Sequence, residues 1–363
     1  MTELPLQEHP SLADRTTLAV GGPARYWLDA ADSDTVVGAL KWAEERDLPV
    51  AVLGGGSNVL VADRGFGGLV LRVRAAERRT LPAGDDVLVD VGAGHDWDEL
   101  TAWAVNQDLA GLECLAGIPG DVGAAPIQNV GAYGQEVGDC LVHVEAIERA
   151  TGTQVVIDRA SCALGYRQSV FKAAWADRYV VVGVRLRLRR GGEPGMAYPG
   201  VERALGGQRP TLKAVRAAVL ALRKDKSMVL STDDENRRSA GSFFVNPTVT
   251  DDRAHEVAEL ARQIVGPGES MPAHPSPDGR IKLSAAWLIE RSGLPKGTVR
   301  GRVGLSTRHC LAIVNRGGAT AAEVVAFAAE VRARVRDRFT VALEPEPRLI
   351  GFEPDETAAL LDG

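Results

Sequence analysis

Twenty consecutive residues at 117–136, GIPGDVGAAPIQNVGAYGQE, hold five glycines and two prolines without a cluster of charge. Such a run is a poor helix and a poor strand. Glycine loses the most backbone entropy on ordering, so the segment is unfavourable unless the chain must take positive φ or approach another group closely. The interleaved Ala, Ile and Val give it enough apolar surface to pack, which argues against a disordered linker. Gln128, Asn129 and Tyr133 add hydrogen-bonding edges. The segment is expected to form a wall around a ligand, a bound cofactor being the commonest such group; a buried structural loop is the plainer alternative.

The rest of the chain has room for such a ligand. At 363 residues it exceeds one ordinary core and suggests two or three domains. With 45% hydrophobic and 25% charged residues it has the composition of an average globular protein. A net charge of −6 and a pI near 5.7 argue against a general nucleic-acid surface, leaving Arg-rich patches such as 185–190 as local phosphate sites. Cys114, Cys140, Cys162 and Cys310 fall in no CxxC pair and no Cys/His metal spacing, so neither a disulfide scaffold nor a metal site is expected. A reducing cytoplasm fits best. The N-terminal MTELPLQEHPSLADR lacks a basic start and an apolar core, and no segment reaches the apolar length of a membrane span.

Periodicity places the elements. Residues 33–46 carry Val36, Val37, Leu40 and Ala43 at helical spacing behind a serine cap, and 49–53 reads as a short buried strand. Then comes Gly54-Gly55-Gly56-Ser57-Asn58, followed directly by the β-rich triplet Val59-Leu60-Val61. A Rossmann phosphate loop runs strand, GxGxxG, helix; here a strand follows and Val59 stands where Gly or Ala is wanted, so that fold is rejected. Strands are expected at 68–73, 87–91, 141–149, 154–157 and 179–187, with a helix at 97–109 between. After the turn-rich break at 191–195, an amphipathic helix is expected at 211–224, with a domain boundary near 205–220. Further helices are expected at 253–265, 284–292 and 321–339, the last opening with the capping box Thr320 to Glu323. Residues 266–279 read as a loop, and 341–350 as a closing strand before a polar tail. The class is α+β.

Several motifs carry possible chemistry. The GGGSN turn offers successive backbone N–H groups that can wrap a pyrophosphate without a helix, although a tight glycine hairpin explains it as well. Thr16-Thr17 and Gly21-Gly22 are a third candidate wall. In Gly165-Tyr166-Arg167-Gln168-Ser169-Val170-Phe171-Lys172 an Arg among aromatics can clamp a carboxylate or phosphate, or simply face water. Ser242, in SAGSFFVNP, follows small residues and precedes two rings; it does not match a hydrolase elbow, and a plain turn former is the bland reading. In LEPEPR, Glu344 and Glu346 alternate on a proline-stiffened strand, which puts both on one face or on an exposed edge.

Five motifs in this order, LGGGSN, GIPGDVGAAPIQNVGAYGQE, GYRQSVFK, AGSFFVNP and LEPEPRLIG, resemble the UDP-N-acetylmuramate dehydrogenase family, also called UDP-N-acetylenolpyruvoylglucosamine reductase. The resemblance spans nearly the whole chain. Gln128-Asn129 and the insertion bearing Tyr198 are similar to the family's first type. It implies an FAD-binding fold of the vanillyl-alcohol oxidase type, two α+β subdomains at 1–75 and 76–214, with the C-terminal 340–363 returning to the first. An α+β substrate domain at 215–339 completes it. It further implies a cytoplasmic monomer of peptidoglycan precursor synthesis. Non-covalent FAD would lie against Leu53, Gly54, Gly55, Gly56, Ser57 and Asn58. On the other side, Gly117, Ile118, Pro119, Gly120, Gly123 and Ala124 would hold it, followed by Gln128, Asn129, Gly131, Ala132 and Tyr133. NADPH would reduce the flavin, leave, and be replaced by UDP-N-acetylglucosamine-enolpyruvate. Hydride would pass from flavin N5 to the enolpyruvyl methylene, Ser242 supplying the proton. Arg167 would hold the substrate carboxylate, with Glu346 assisting; Glu344 is the weaker candidate. Tyr166, Tyr198, Lys226, Asn246 and His309 match substrate contacts, although His309 stands where some relatives have Gln, and 226–238 departs in length and content. An FAD oxidase of an alcohol or sugar on the same fold is the alternative; the glycine segment has no His or Cys to tether a flavin. A non-catalytic nucleotide-sugar binder would be expected to have lost Arg167, Ser242 or Glu346.

Overall fold

The computed structural model describes residues 4–207, 210–266, 268–276 and 278–361. Its contacts divide the chain into two compact units. One comprises residues up to Pro10, Ala24–Gly56 and Gly67–Leu230; the other comprises Ser11–Pro23, Ser57–Phe66 and Ser231 onward.

The first unit is built mainly on two sheets. In the smaller, the strands run in the order Gln7–Glu8, Ala24–Ala30, Phe66–Val73 and Val50–Val52, the last two parallel. In the larger, the order is Gln154–Asp158, Leu141–Glu148, Tyr179–Arg190, Asp86–Gly92 and Arg78–Ala83, all antiparallel, with Leu109–Ala110 pairing on Tyr179–Arg190. The long strand Tyr179–Arg190 shows why: Val180, Val182, Val184, Leu186 and Leu188 alternate along it and are all buried. Each such side chain contributes about 1.5–3 kcal/mol of transfer free energy. Helix Ser33–Glu44 turns Val36, Ala39, Leu40 and Ala43 into the same core, which Leu69, Leu71, Trp97 and Leu100 complete. Its cap is not a serine. Asp32 accepts from the Thr35 amide at 2.8 Å, and a carboxylate there also suits the positive end of the helix dipole, while Ser33 is already helical.

The boundary expected near 205–220 falls inside this unit, whose end is at Leu230. Helix Leu212–Asp225, capped by Thr211, buries Val215 and Val219 in a small core with Cys114, Ala116 and Val201. That packing ties it to the start of the glycine segment. Gln208 and Arg209, within the expected boundary, lie outside the described residues.

The second unit wraps helix Ala321–Phe339. Val324, Phe327, Ala328, Val331, Val335 and Phe339 are buried among Phe243, Phe244, Leu288, Leu305 and Ile313. Two three-stranded antiparallel sheets flank it: Thr248–Val249, Ile281–Leu283 and Ala273–Pro275; and Val299–Arg300, Val303–Leu305 and Ile313–Asn315. The expected loop at 266–279 thus contains a strand, Ala273–Pro275, while Pro267 and Pro277 lie outside the described residues. Helices Asp251–Val265 and Ala285–Arg291 fall where periodicity put them, and Thr320 and Glu323 form both bonds of the capping box.

The closing strand is shorter than expected. Only Arg348–Ile350 is regular, pairing in parallel with Val59–Val61, because Pro345 and Pro347 remove two ladder donors upstream. What was expected as a polar tail contains helix Pro354–Leu361, which buries Thr357 and Leu360. Arg332 reaches across, donating through Nε to the Leu343 carbonyl and through Nη1 to that of Leu360, both at 2.8 Å. The α+β class holds for both units. Among the described residues no helix is long and apolar enough to cross a membrane.

Candidate functional site

After strand Val50–Val52 the chain makes the GGG turn and enters strand Val59–Val61, the order that excludes a Rossmann loop. Leu53 is core, its amide bonded to the Leu71 carbonyl at 3.0 Å. The turn meets the glycine segment backbone to backbone: a Cβ placed on Gly55 would lie 2.8 Å from the Gly120 Cα. Only glycine at position 55 permits that approach. Gly56 and Gly120 also take positive φ, 66° and 122°.

The glycine segment is pinned along its length. At its start the Gly117 amide donates to Asp98 Oδ1 at 2.7 Å, and Arg216 Nη2 donates to the same oxygen at 2.8 Å. Next, Val122 and Gly123 donate to the carbonyls of His95 and Ala93, both at 2.9 Å. Gly123 is there for packing, since its Cβ would fall 2.7 Å from that of Ala93. Ala124 is exposed, Ile118 and Ala132 pack on the core, and Pro119 precedes the Gly120 turn. The segment, expected to be a poor helix and a poor strand, contains short pieces of both: a 3-10 turn at Val122–Ala124, helix Ala125–Gln128, then Gly131–Ala132 paired with Gln135–Glu136.

Asn129 links this segment to the Arg167 turn. With φ 41° and only 1% exposure, its Nδ2 donates to Glu136 Oε2 at 2.6 Å and to the Gly165 carbonyl at 2.8 Å; its Oδ1 accepts from Gly138. Gly165 and Gln168 exchange both backbone bonds at 3.0 Å, closing a tight turn with Tyr166 and Arg167 at its tip and Arg167 at φ 55°. Arg167 Nη2 donates to the Gly131 carbonyl at 2.7 Å, and its guanidinium lies 5.6 Å from the Tyr166 ring centre. Gln128 accepts from Lys172 Nζ at 3.1 Å, and the same ammonium donates to the Arg167 carbonyl at 2.9 Å.

A second convergence surrounds Tyr133. Its ring meets Tyr198 edge-on at 5.1 Å and Lys226 Nζ lies 5.9 Å from its centre, so one cofactor candidate and two substrate candidates share one place. Burial pushes the Tyr133 phenol up to about 12, which keeps it a neutral donor at ordinary pH. Beside them, Arg223 donates through Nη2 to the Met228 carbonyl, while its buried Nε has no hydrogen-bond partner among the described residues; burial also lowers its pKa. An orphaned guanidinium donor next to Gly117 is a feature that an anionic ligand satisfies.

The remaining candidates belong to the second unit. Phe243 accepts at its carbonyl from the Glu346 amide at 2.8 Å and donates to the Leu311 carbonyl at 2.7 Å, while Val245 donates to the Glu344 carbonyl at 3.0 Å. Those bonds set Ser242 beside the LEPEP segment and near the turn that carries His309, whose amide donates to Ser306 Oγ at 3.3 Å. Glu346 is half-buried whereas Glu344 is exposed, which separates the two carboxylates. Asn58 Nδ2 reaches the Glu346 carbonyl at 3.4 Å, and Asn58 accepts from the Arg348 amide at 3.0 Å, so Ser57-Asn58 follow the LEPEP segment. Asn246 Oδ1 accepts from the Ala285 amide at 3.0 Å, at the start of helix Ala285–Arg291. Gly21 takes φ 113° against Val61, and Thr17 Oγ1 donates to the Ser239 carbonyl at 2.6 Å, so that candidate wall is engaged in packing.

Sequence reasoning missed Asp98, Arg223 and the pair Arg72 and Asp121. The last had a signal: Asp121 is the one acid in the interior of an otherwise uncharged glycine run.

Residues 24–158 match the FAD binding domain family, and 233–350 match the C-terminal domain family of UDP-N-acetylenolpyruvoylglucosamine reductase. UDP-N-acetylenolpyruvoylglucosamine reductase of Thermobifida fusca is 45% identical over 346 residues, covering 94% of this chain and 96% of its own. That of Mycobacterium marinum is 45% identical over 359 residues, covering 95% of each chain. In structure, the UDP-N-acetylenolpyruvylglucosamine reductase of Thermus caldophilus aligns over 96% of this chain and 99% of its own, with a TM-score of 0.63 and 28% identity.

Proposed function

The chain belongs to the UDP-N-acetylenolpyruvoylglucosamine reductase family, and from that we propose that it uses NADPH to reduce UDP-N-acetylglucosamine-enolpyruvate to UDP-N-acetylmuramate. The observation that carries the reading is the double engagement of the glycine segment. Its 120–121 end abuts the GGG turn, and its 129–133 end holds both Arg167 and the Tyr133, Tyr198 and Lys226 group.

The residues present fit FAD: a buried Arg223 Nε that an anion would satisfy stands beside Gly117, at the start of the glycine segment. Gly54, Gly55, Gly56, Ser57 and Asn58, with Gly117, Ile118, Pro119, Gly120, Gly123, Ala124, Gln128, Asn129, Gly131, Ala132 and Tyr133, would hold it. When bound, FAD would supply hydride transfer from NADPH to the enolpyruvyl methylene. The protein's own task is then to manage charge and one proton. Arg167 binds the substrate carboxylate and stabilises the negative charge that develops beside it, an effect worth about 3–4 kcal/mol per donor in such sites. Ser242 Oγ gives its proton to the adjacent carbon, and Glu346 assists that transfer. A serine is a weak acid, so the step needs a strongly basic carbon and exclusion of water. Tyr198 and Lys226 hold the nucleotide phosphates, with Tyr166, Asn246 and His309 as further contacts. The protein works as a monomer in the cytoplasm, where its four free, buried cysteines stay reduced.

The test is to reduce the purified yellow protein anaerobically with NADPH and then add either the enolpyruvyl sugar nucleotide or oxygen. Reoxidation by the sugar nucleotide, and only slowly by oxygen, is expected. Rapid reoxidation by oxygen alone would favour an oxidase, and a colourless protein that takes up no FAD would overturn both.

A further inference from the structure

An acid is out of place in a loop that receives an anion, yet Asp121 directly follows Gly120. Its side chain is 8% exposed and lies at the turn itself: a Cβ on Gly54 would be 3.4 Å from Asp121 Oδ2, and one on Gly55 would be 3.2 Å from Oδ1. Left unpaired, that carboxylate would repel any phosphate seated on Gly54–Gly56. It is not unpaired. Arg72, on strand Phe66–Val73, meets it with both edges of the guanidinium: Nε to Oδ2 and Nη2 to Oδ1, each at 3.2 Å. The other charges nearby are Arg74, which pairs with Asp29 at 3.9 Å, and Asp96, which caps the helix starting at Trp97.

The pair also braces the turn. Strand Phe66–Val73 lies parallel to Val50–Val52 and takes the Leu53 amide at the Leu71 carbonyl, so Arg72 stands behind the GGG turn while Asp121 stands behind Gly120. We propose that Arg72 is a positioning and charge-neutralising residue of the flavin pyrophosphate site, cancelling Asp121 so that Gly54–Gly56 can accept an anion. This rests on the reading that the GGG turn receives the pyrophosphate of FAD. A planar, permanently charged bidentate partner does this where a lysine would hold only one oxygen. An uncompensated charge at this range in a half-buried site weakens anion binding by about tenfold or more.

The experiment is a double-mutant cycle on FAD affinity. Deflavinated wild type, R72M, D121N and R72M/D121N are titrated with FAD by quenching of flavin fluorescence, and the unfolding temperature of each apo form is recorded. R72M is expected to lose about tenfold or more in affinity, whereas D121N binds at least as tightly as wild type and the double variant stays within about threefold of it, because removing both charges leaves the site as neutral as the pair does. A double variant as weak as R72M overturns the proposal and leaves the pair as a structural brace. If R72M does not fold, comparing the double variant with wild type decides: affinity within about threefold supports the proposal, and a tenfold loss overturns it. Failure of wild type to bind FAD at all would instead overturn the flavin reading on which the proposal rests.

Discussion

Arg167 is held in the left-handed region at φ 55°, a conformation that costs a non-glycine residue about 1–2 kcal/mol. The strain is over-determined by its surroundings: the Gly165 and Gln168 exchange, the Lys172 bond to its carbonyl and the Asn129 bond to Gly165. GYRQSVFK marked it as a candidate. Its support was not marked, because Asn129 lies 36 residues away from Gly165 and nothing local marks them as partners. Ser242 presents the reverse case, since sequence alone could not separate a turn former from a proton donor. Its place beside the half-buried Glu346 now gives that question a measurement. Ser242→Ala should leave reduction of the flavin by NADPH near the wild-type rate while slowing turnover of the sugar nucleotide by about 10²–10⁴-fold, read as separate stopped-flow half-reactions. Equal loss in both half-reactions would show that the hydroxyl serves folding or flavin binding instead.

Among elements, those with a strong period were visible in advance. Helix Ala321–Phe339 buries a continuous stripe and announces its start with Thr320 and Glu323. Thr320 Oγ1 accepts from the Glu323 amide at 3.1 Å and Glu323 Oε2 from the Thr320 amide at 2.8 Å. Thr320→Ala should therefore destabilise the protein by about 1 kcal/mol, seen as a lower denaturant midpoint with unchanged slope; an unaltered midpoint would mean the cap contributes nothing. Three of the elements that escaped notice lack such a stripe. Strand Arg78–Ala83 is exposed almost throughout at a sheet edge, so no alternation of burial shapes its sequence. Helices Pro199–Leu205 and Pro354–Leu361 are only 7 and 8 residues long, too short for a period to emerge.

Across the whole molecule, ion pairs make stability depend on acidity. Arg185 holds the Asp90 carboxyl, and Arg291 that of Glu269, below their ordinary values of 3.8 and 4.5. Carboxyls depressed in the fold stabilise it above those values, and that stability is lost as pH falls through the lower folded ones. Asp121 has the opposite sign, its pKa raised chiefly by burial despite Arg72, so it does not add to this acid loss. The unfolding temperature should thus fall on acidification below about pH 4.5, and Glu269→Gln should show a shallower fall; parallel curves for the two proteins would refute the assignment. The sequence by itself determined what is local: the α+β class, the order that excludes a Rossmann loop, the main helices and strands, and the motifs that resemble one family. Tertiary structure alone decided which distant residues meet. Asn58 finds Glu346 across 288 positions, Arg72 neutralises Asp121, and Tyr133 joins Tyr198 and Lys226. Periodicity and turn chemistry act over a few neighbouring residues, whereas these pairings are chosen by packing and by the need to satisfy buried charge.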